Sequence, residues 1–120
     1  MSHITKVKTK LRDTHVLKKA LCEKGYRVDE KVVYREQKVD VLARKDGIKL
    51  GFKKSQDTGE YHAIVDSDDI FIPLQKALRG IFQAYARYKV LSMAKEKGYY
   101  LASERVVAGG RIEIVLRSLA

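Results

Sequence analysis

The alternation of polar and apolar residues predicts a β-strand at the start of the chain. Over residues 4–11, positions that are apolar or threonine alternate with polar or cationic positions. A period of two is typical of a strand that has one covered side and one side facing solvent. The pattern places four cations on the same side of this predicted strand: Lys6, Lys8, Lys10 and Arg12.

Two later segments have the spacing of amphipathic helices. In the first segment, the apolar positions are Val16, Leu17, Ala20 and Leu21. Asp13 is placed to cap this helix, and Gly25 can supply the left-handed residue that ends it. Pro73 suits the first turn of the second helix, which is predicted to continue to Lys97 and to stop at Gly98.

The remaining segments alternate again and predict hairpins. Residues 27–35, 39–43, 48–54 and 61–65 read as strands, and Asp46-Gly47 is a strong turn signal between the second and third of them. Residues 100–107 and 111–117 form a last predicted hairpin. The element order βαββββαββ predicts an α+β fold, in which a single antiparallel sheet carries both helices on one face and leaves the other face open.

A tetrapeptide repeat suggests that one αββ unit is used twice. Glu-Lys-Gly-Tyr occurs at residues 23–26 and again at 96–99, an offset of 73 residues. Residues 17–43 and 90–116 are therefore predicted to be equivalent. Because a lone αββ unit would leave its apolar side exposed, we expect both copies to share one core in a single domain over residues 1–120.

Composition narrows the class of protein. The net charge is +10, with 16 Lys and Arg against 9 Asp and Glu in residues 1–60. Such a charge favours polyanion binding, although a thermophile surface would give the same excess. Cys22 is the single cysteine, and no apolar run is long enough to cross a membrane. We expect a cytoplasmic protein without disulfides.

Several short motifs together resemble a known family. They are Met1-Ser2-His3, Lys8-Thr9-Lys10-Leu11-Arg12-Asp13, Val39-Asp40-Val41, Leu50-Gly51-Phe52-Lys53 and Ala84-Tyr85-Ala86 with Tyr88-Lys89-Val90. Their order and spacing are similar to the uncharacterised "hypothetical chloroplast frame thirty-five" family of cyanobacteria, plastids and other bacteria. The chain lacks the tryptophans associated with that family, which suggests a distant member. The resemblance implies no catalytic residue, cofactor or substrate.

The open sheet face is the first candidate site. Phosphate contacts need only Lys and Arg within reach and provide affinity without reading bases. The alternative is that lysines keep an exposed sheet from pairing with other chains. No aromatic residue stands among the predicted outward positions, so base stacking is not expected. The candidate nucleic-acid contacts on this face are Lys6, Lys8, Lys10, Arg12, Lys49 and Lys53.

A second basic stripe follows the long helix. Helical spacing brings Lys76, Arg79, Gln83 and Arg87 near one face, and Arg79 and Arg87 are candidate phosphate contacts. The alternative is the ordinary solvent-facing side of an amphipathic helix.

Catalytic and metal sites are weakly indicated. Asp40 and Lys53 imitate the hairpin of a restriction-endonuclease-like nuclease, but Gly51 occupies the position of the second carboxylate that holds Mg²⁺ there. The acidic stretch 66–69 lacks the features of a calcium loop and is predicted to be a turn exposed to water. The histidines have no zinc-binding spacing.

We therefore expect a non-enzymatic basic module, without cofactor or metal, that binds RNA or a ribonucleoprotein surface. The alternative is an interaction subunit of a larger protein assembly, and a degenerate nuclease fold is a minor alternative.

Overall fold

Five antiparallel strands form the larger sheet in a computed structural model, which describes residues 3–118. These strands are β1 (Ile4–Lys8), β2 (Arg27–Tyr34), β3 (Gln37–Lys45), β4 (Ile48–Lys54) and β5 (Tyr61–Asp66), in the spatial order β1-β5-β4-β3-β2. Helix α1 (Thr14–Glu23) precedes β2, and helix α2 (Leu74–Glu96) follows β5. Strands β6 (Tyr99–Val106) and β7 (Ile112–Ser118) form a second, two-stranded sheet.

The α+β class and the predicted element order are confirmed, but the strands divide into two sheets instead of one. The two edge strands of the larger sheet are β1 and β2, and in β2 Lys31 has a φ of 52°. A left-handed residue interrupts the regular row of backbone donors and acceptors that another strand would need. The chain also divides into two compact units, Met1–Tyr85 and Ala86–Ala120, so the prediction of one shared core stays a prediction.

The core of the first unit lies between α1 and one side of the larger sheet. The Thr14 hydroxyl of α1 contacts the Tyr61 hydroxyl, and Tyr61 shares its side of β5 with Ala63. Ala63 is paired with Phe52, which is fully buried. The opposite side of this sheet, which bears Lys8, His62 and Lys53, is called the open face below.

The ends of the helices follow the sequence signals. The Asp13 side chain accepts a hydrogen bond from the Val16 N–H at 3.2 Å, and Gly25 after α1 has a φ of 88°. The first turns of α2 pack in the same unit, where the Tyr85 hydroxyl accepts the Asp13 N–H at 2.9 Å. Asp13 therefore caps the start of α1 with its side chain while its own N–H binds α2.

The second unit consists of the end of α2 and the β6–β7 hairpin. Arg87 on α2 is hydrogen-bonded to Glu104 on β6, and Arg105 is paired with Glu113 across the hairpin at 2.9 Å. Within residues 3–118, no helix is long and apolar enough to cross a membrane. The proposed repeat has support in element order, but the β6–β7 register shifts between Leu101 and Ser103, and the repeat stays a prediction.

Candidate functional site

Strand pairing brings basic side chains from β1 and β4 into one row on the open face. Lys8 is paired with His62, and His62 is paired with Lys53. Partners in an antiparallel ladder point to the same side, and neighbouring strands are about 4.8 Å apart. Lys8 and Lys53 are both exposed, and Lys6 lies one pleat repeat, about 6.8 Å, from Lys8.

A second basic row lies toward the other end of the same face. Lys49 is paired with Arg44, and Arg44 is paired with Arg27 on the outer strand. All three are exposed, and Arg44 binds the Asp29 carboxylate at 2.9 Å. The row includes two arginines, Arg27 and Arg44, that sequence reasoning missed. The sequence could have indicated Arg44, because a two-residue turn at Asp46-Gly47 places position 44 opposite position 49.

Two shallow depressions coincide with the ends of this face. One has a volume of about 410 Å³ and is lined by Arg27, Arg44, Lys45 and Lys49, among others. The other, of about 460 Å³, is lined by Lys31, Lys38, Lys53 and Lys54, among others. In each depression, four of the eight lining residues are cationic and one is an aspartate, Asp46 in the first and Asp40 in the second.

The centre of the open face is apolar. Tyr34 packs there with Val39, Leu42 and Ile64, and all four side chains are buried. The Tyr34 ring packs closely over Gly51, since a Cβ at this position would lie 3.0 Å from the ring. Tyr34 therefore lies on the open face without offering its ring to solvent, at 4% exposure. The Tyr34 ring is therefore not available for base stacking, and the expectation that this face does not stack bases stays a prediction.

A buried ionic network holds the segment that follows β5 against this centre. The Tyr34 hydroxyl donates to Asp69 at 2.7 Å and accepts the Asp66 N–H at 2.9 Å. Arg35 binds Asp69 through two nitrogens and approaches Asp66 at 3.2 Å. The sequence-based prediction of a turn exposed to water is wrong for Asp66 and Asp69, which are 1% and 7% exposed. Arg35 and Tyr34 supply the hydrogen-bond donors that compensate for the burial of the two aspartates.

The network changes the acidity of its members. Burial alone would raise the pKa of Asp69, but hydrogen bonds from Arg35 and Tyr34 outweigh burial and hold this pKa below its usual value. Burial is the main reason that the pKa of Tyr34 rises to about 12. Asp69 is therefore an anion and Tyr34 a neutral donor at physiological pH.

The β2–β3 turn that presents Arg35 has an unfavourable backbone. Arg35 and Glu36 have φ values of 48° and 68°, in the left-handed region that normally suits glycine or asparagine. The left-handed conformation costs about 1–2 kcal/mol for each such residue. The ion pairs of Arg35 with Asp66 and Asp69 offset this cost.

The remaining residues of the predicted basic strand lie beyond its end. β1 ends at Lys8, yet Lys10 is exposed between buried Thr9 and Leu11, as the alternation predicts. The Arg12 side chain is 66% exposed and lies 3.8 Å from the Glu60 carboxylate. Lys10 is thus accessible as predicted, and Arg12 has a weak acidic neighbour.

The two predicted helix contacts, Arg79 and Arg87, lie in different units of the structure. Arg79 is exposed on the part of α2 that belongs to the first unit. Arg87 belongs to the second unit, where its side chain is hydrogen-bonded to Glu104 and its guanidinium lies 5.5 Å from the Tyr88 ring centroid. Because Arg87 already has these partners, it is a poorer phosphate contact than the sequence suggested.

The positions that imitate a nuclease have structural roles. The Asp40 carboxylate accepts the Lys54 N–H at 2.7 Å, where the β3–β4 ladder ends. A glutamate in place of Gly51 would collide with Tyr34 and Val39, whose side chains lie 3.0 and 3.1 Å from the position of a Cβ. Among residues 3–118, no group of three or more His, Cys, Asp or Glu is arranged to hold a metal ion.

Comparison with known proteins identifies relatives but no activity. A family model described as "Protein of unknown function (DUF1257)" matches residues 10–115. The "Uncharacterized protein ycf35" of Pyropia yezoensis is 27% identical over 129 aligned positions, which cover 98% of this chain and 97% of that protein. Both matches confirm the resemblance to the hypothetical chloroplast frame thirty-five family. No solved structure shows significant similarity to this chain.

Proposed function

This chain belongs to the DUF1257 family, whose function is unknown, and we propose that it is a non-enzymatic basic module that binds RNA or a ribonucleoprotein surface. The affinity would come from phosphate contacts made by the open face. The principal contacts are Lys6, Lys8 and Lys53, with Lys49 and Lys10 extending the surface. The cytoplasmic location predicted from the sequence is part of this proposal.

The observation that carries the proposal is an imbalance of charge on the open face. Lys8 and Lys53 lie in one ladder row, and neither forms an ion pair with a residue in the described range 3–118. Asp29 binds Arg44, Asp66 and Asp69 bind Arg35, and the Asp40 carboxylate near Lys53 accepts a backbone N–H. The lysines therefore leave a net positive surface that a phosphate backbone can neutralise.

The geometry favours a folded or double-stranded RNA over a single strand that is read base by base. Single-strand recognition commonly uses exposed aromatic rings on which bases stack. Tyr34 is the aromatic residue at the centre of the open face, and its ring is covered. Two basic ends separated by a buried centre fit contacts with separate stretches of backbone, so selectivity would come from the shape of the RNA.

The role of Asp40 argues against the nuclease alternative. Its carboxylate accepts a backbone N–H from Lys54, and a second carboxylate cannot replace Gly51 without displacing Tyr34. A pair of metal-binding carboxylates could not form at this hairpin without rebuilding the apolar centre of the open face.

Salt-dependent RNA binding tests the proposal. The probe is a fluorescent RNA duplex of about 16 base pairs, measured by anisotropy between about 50 and 200 mM salt. We expect binding to weaken steeply with salt. Changing Lys6, Lys8 and Lys53 together to Glu should abolish most of the affinity. For any residual binding, the slope of log binding constant against log salt concentration should be smaller in magnitude by about 2.7, which is about 0.9 for each lost phosphate contact.

A matched variant controls for net charge. Lys19, Lys95 and Lys97 are exposed outside the strands of the open face, and their combined change to Glu alters the charge by the same amount. This control should keep most of the affinity. Equal losses in both triple variants would contradict a defined site. A pull-down in which a protein partner survives nuclease treatment, without RNA binding, would favour the interaction-subunit alternative instead.

A further inference from the structure

The β6–β7 hairpin has an outer edge without a partner strand. Within residues 3–118, β7 pairs only with β6. In the first unit, the corresponding hairpin β2–β3 continues into β4, which pairs with β3 from Val41 to Lys45. If the 73-residue repeat is taken as a guide, β7 corresponds to β3 and lacks the third strand that β4 provides.

The hairpin is also poorly covered for an isolated pair of strands. Tyr99, Tyr100, Leu101, Val106 and Val115 are between 37% and 72% exposed. A two-stranded sheet is marginally stable in water, and a free strand edge is a template for pairing with another chain. An added strand would satisfy the edge and cover part of this apolar surface.

The side chains of β7 are complementary to a second β7 that runs antiparallel to the first. Glu113, Val115 and Arg117 alternate along one side and are exposed. If two copies pair about a two-fold axis at Val115, each Glu113 lies opposite Arg117 of the other copy. Ile114 then lies opposite Leu116 on the other side. Opposite charges lie at equal distances on the two sides of Val115, so a two-fold axis there brings each charge of one copy opposite its counter-charge in the other.

We propose that the outer edge of β7 binds β7 of a second copy of this chain and forms a four-stranded sheet across a two-fold axis. The contact is small, so the dimer is weak and depends on concentration. Arg105 leaves the second oxygen of Glu113 for the other copy, because its Nε and Nη2 both approach Oε1, each at 2.9 Å. This dimer does not depend on the proposed RNA binding.

Charge reversal at the two ends of β7 tests the dimer. Sedimentation velocity of the whole chain from about 1 to 500 µM should show a monomer–dimer equilibrium in this weak-interface class. In Arg117→Glu, two glutamates oppose each other at both ends of the pairing, and in Glu113→Arg two arginines do. Each variant alone should raise the dissociation constant by roughly tenfold or more.

Mixing the two variants restores the opposite charges at both ends. We expect an equimolar mixture of Glu113→Arg and Arg117→Glu to form a heterodimer with about the wild-type dissociation constant. Arg111→Glu controls for charge, and Arg105→Ala controls for loss of the internal ion pair; neither should alter dimerisation more than about twofold. A wild-type chain that stays monomeric throughout, single variants that dimerise normally, or a mixture that stays monomeric would each overturn the proposal.

Discussion

Replacing Tyr34 with Phe removes one oxygen atom from the buried network of the first unit. The hydroxyl donates to the Asp69 carboxylate and accepts the Asp66 N–H, and both aspartates are at least nine-tenths buried. Phenylalanine keeps the ring that covers Gly51. The substitution therefore tests the hydrogen bonds with little change in packing.

The expected loss of stability follows from the two broken hydrogen bonds. A buried N–H that loses its acceptor costs about 1–3 kcal/mol, and a hydrogen bond to a charged group contributes about 1.5–3 kcal/mol. Arg35 continues to bind Asp69, so the carboxylate is not left without a partner. We expect the free energy of unfolding to fall by about 2–4 kcal/mol.

Urea unfolding followed by far-ultraviolet circular dichroism measures this difference. With a slope of about 2 kcal/mol per molar urea, the middle of the range for small proteins, the midpoint should fall by about 1–2 M. Tyr26→Phe is the matched control, because Tyr26 is also buried and its hydroxyl has no hydrogen bond to another residue of the described part of the chain. A Tyr34→Phe midpoint within about 0.2 M of the control would refute the assigned role of the hydroxyl.

The same comparison has a defined pH dependence. Because the pKa of Asp69 is lower in the folded state, its ionisation stabilises the fold above the unfolded pKa of about 3.9 and loses this effect as pH falls through the folded pKa. Loss of the Tyr34 donor should move the folded pKa of Asp69 upward. The stability difference between wild type and Tyr34→Phe should therefore be largest near pH 7 and shrink below about pH 4.

Two further substitutions test other parts of the first unit. Gly51→Ala should destabilise by about 1–3 kcal/mol in the same urea assay, because the new Cβ lies 3.0 Å from the Tyr34 ring; an unchanged midpoint would show that Tyr34 moves aside freely. Asp13→Ala removes the side-chain cap of α1 and should cost about 1 kcal/mol, whereas Asp13→Asn should lose only a few tenths; equal losses would assign the effect to charge and not to capping.

Much of the first unit could be predicted because its signals are local. Asp13, Gly25 and the pair Asp46-Gly47 act within a few residues, and each ends or turns an element where the sequence places it. Asp46 and Gly47 have φ values of 43° and 81°, as a two-residue hairpin turn requires. From this turn alone, Lys49 and Arg44 could have been paired.

The centre of the open face could not be predicted because its causes are distant in sequence. A regular strand over residues 27–35 would place Val28 and Tyr34 on the same side, but the left-handed Lys31 lies between them and breaks the alternation. Tyr34 therefore packs with Leu42 on the open face, whereas Val28 is paired with Ala43, which faces the core. The burial of Asp69 depends on Arg35, more than thirty residues earlier in the chain.

The separate two-stranded sheet could not be predicted for a related reason. The repeat suggested that two αββ segments complete one core, since matching sequences can form matching elements. The hydrophobic pattern of a hairpin does not show which sheet edge the hairpin will join. Strands pair through backbone N–H and C=O groups, which nearly every residue carries. The β6–β7 hairpin contains the predicted strands, and within residues 3–118 these two strands pair only with each other.

The left-handed Arg35–Glu36 turn is a point of local frustration. A two-residue turn of this geometry favours Asn-Gly, so the local preference of the chain and the long-range preference for an arginine beside Asp66 and Asp69 disagree. At Asp46-Gly47, by contrast, local and long-range preferences agree. The net stabilisation from the ionic network is therefore the free energy gained by ion pairing minus the free energy cost of the strained backbone. A sequence with Asn-Gly at this position would have a less strained turn. It would, however, lose the ion pairs that hold the segment after β5 against the sheet.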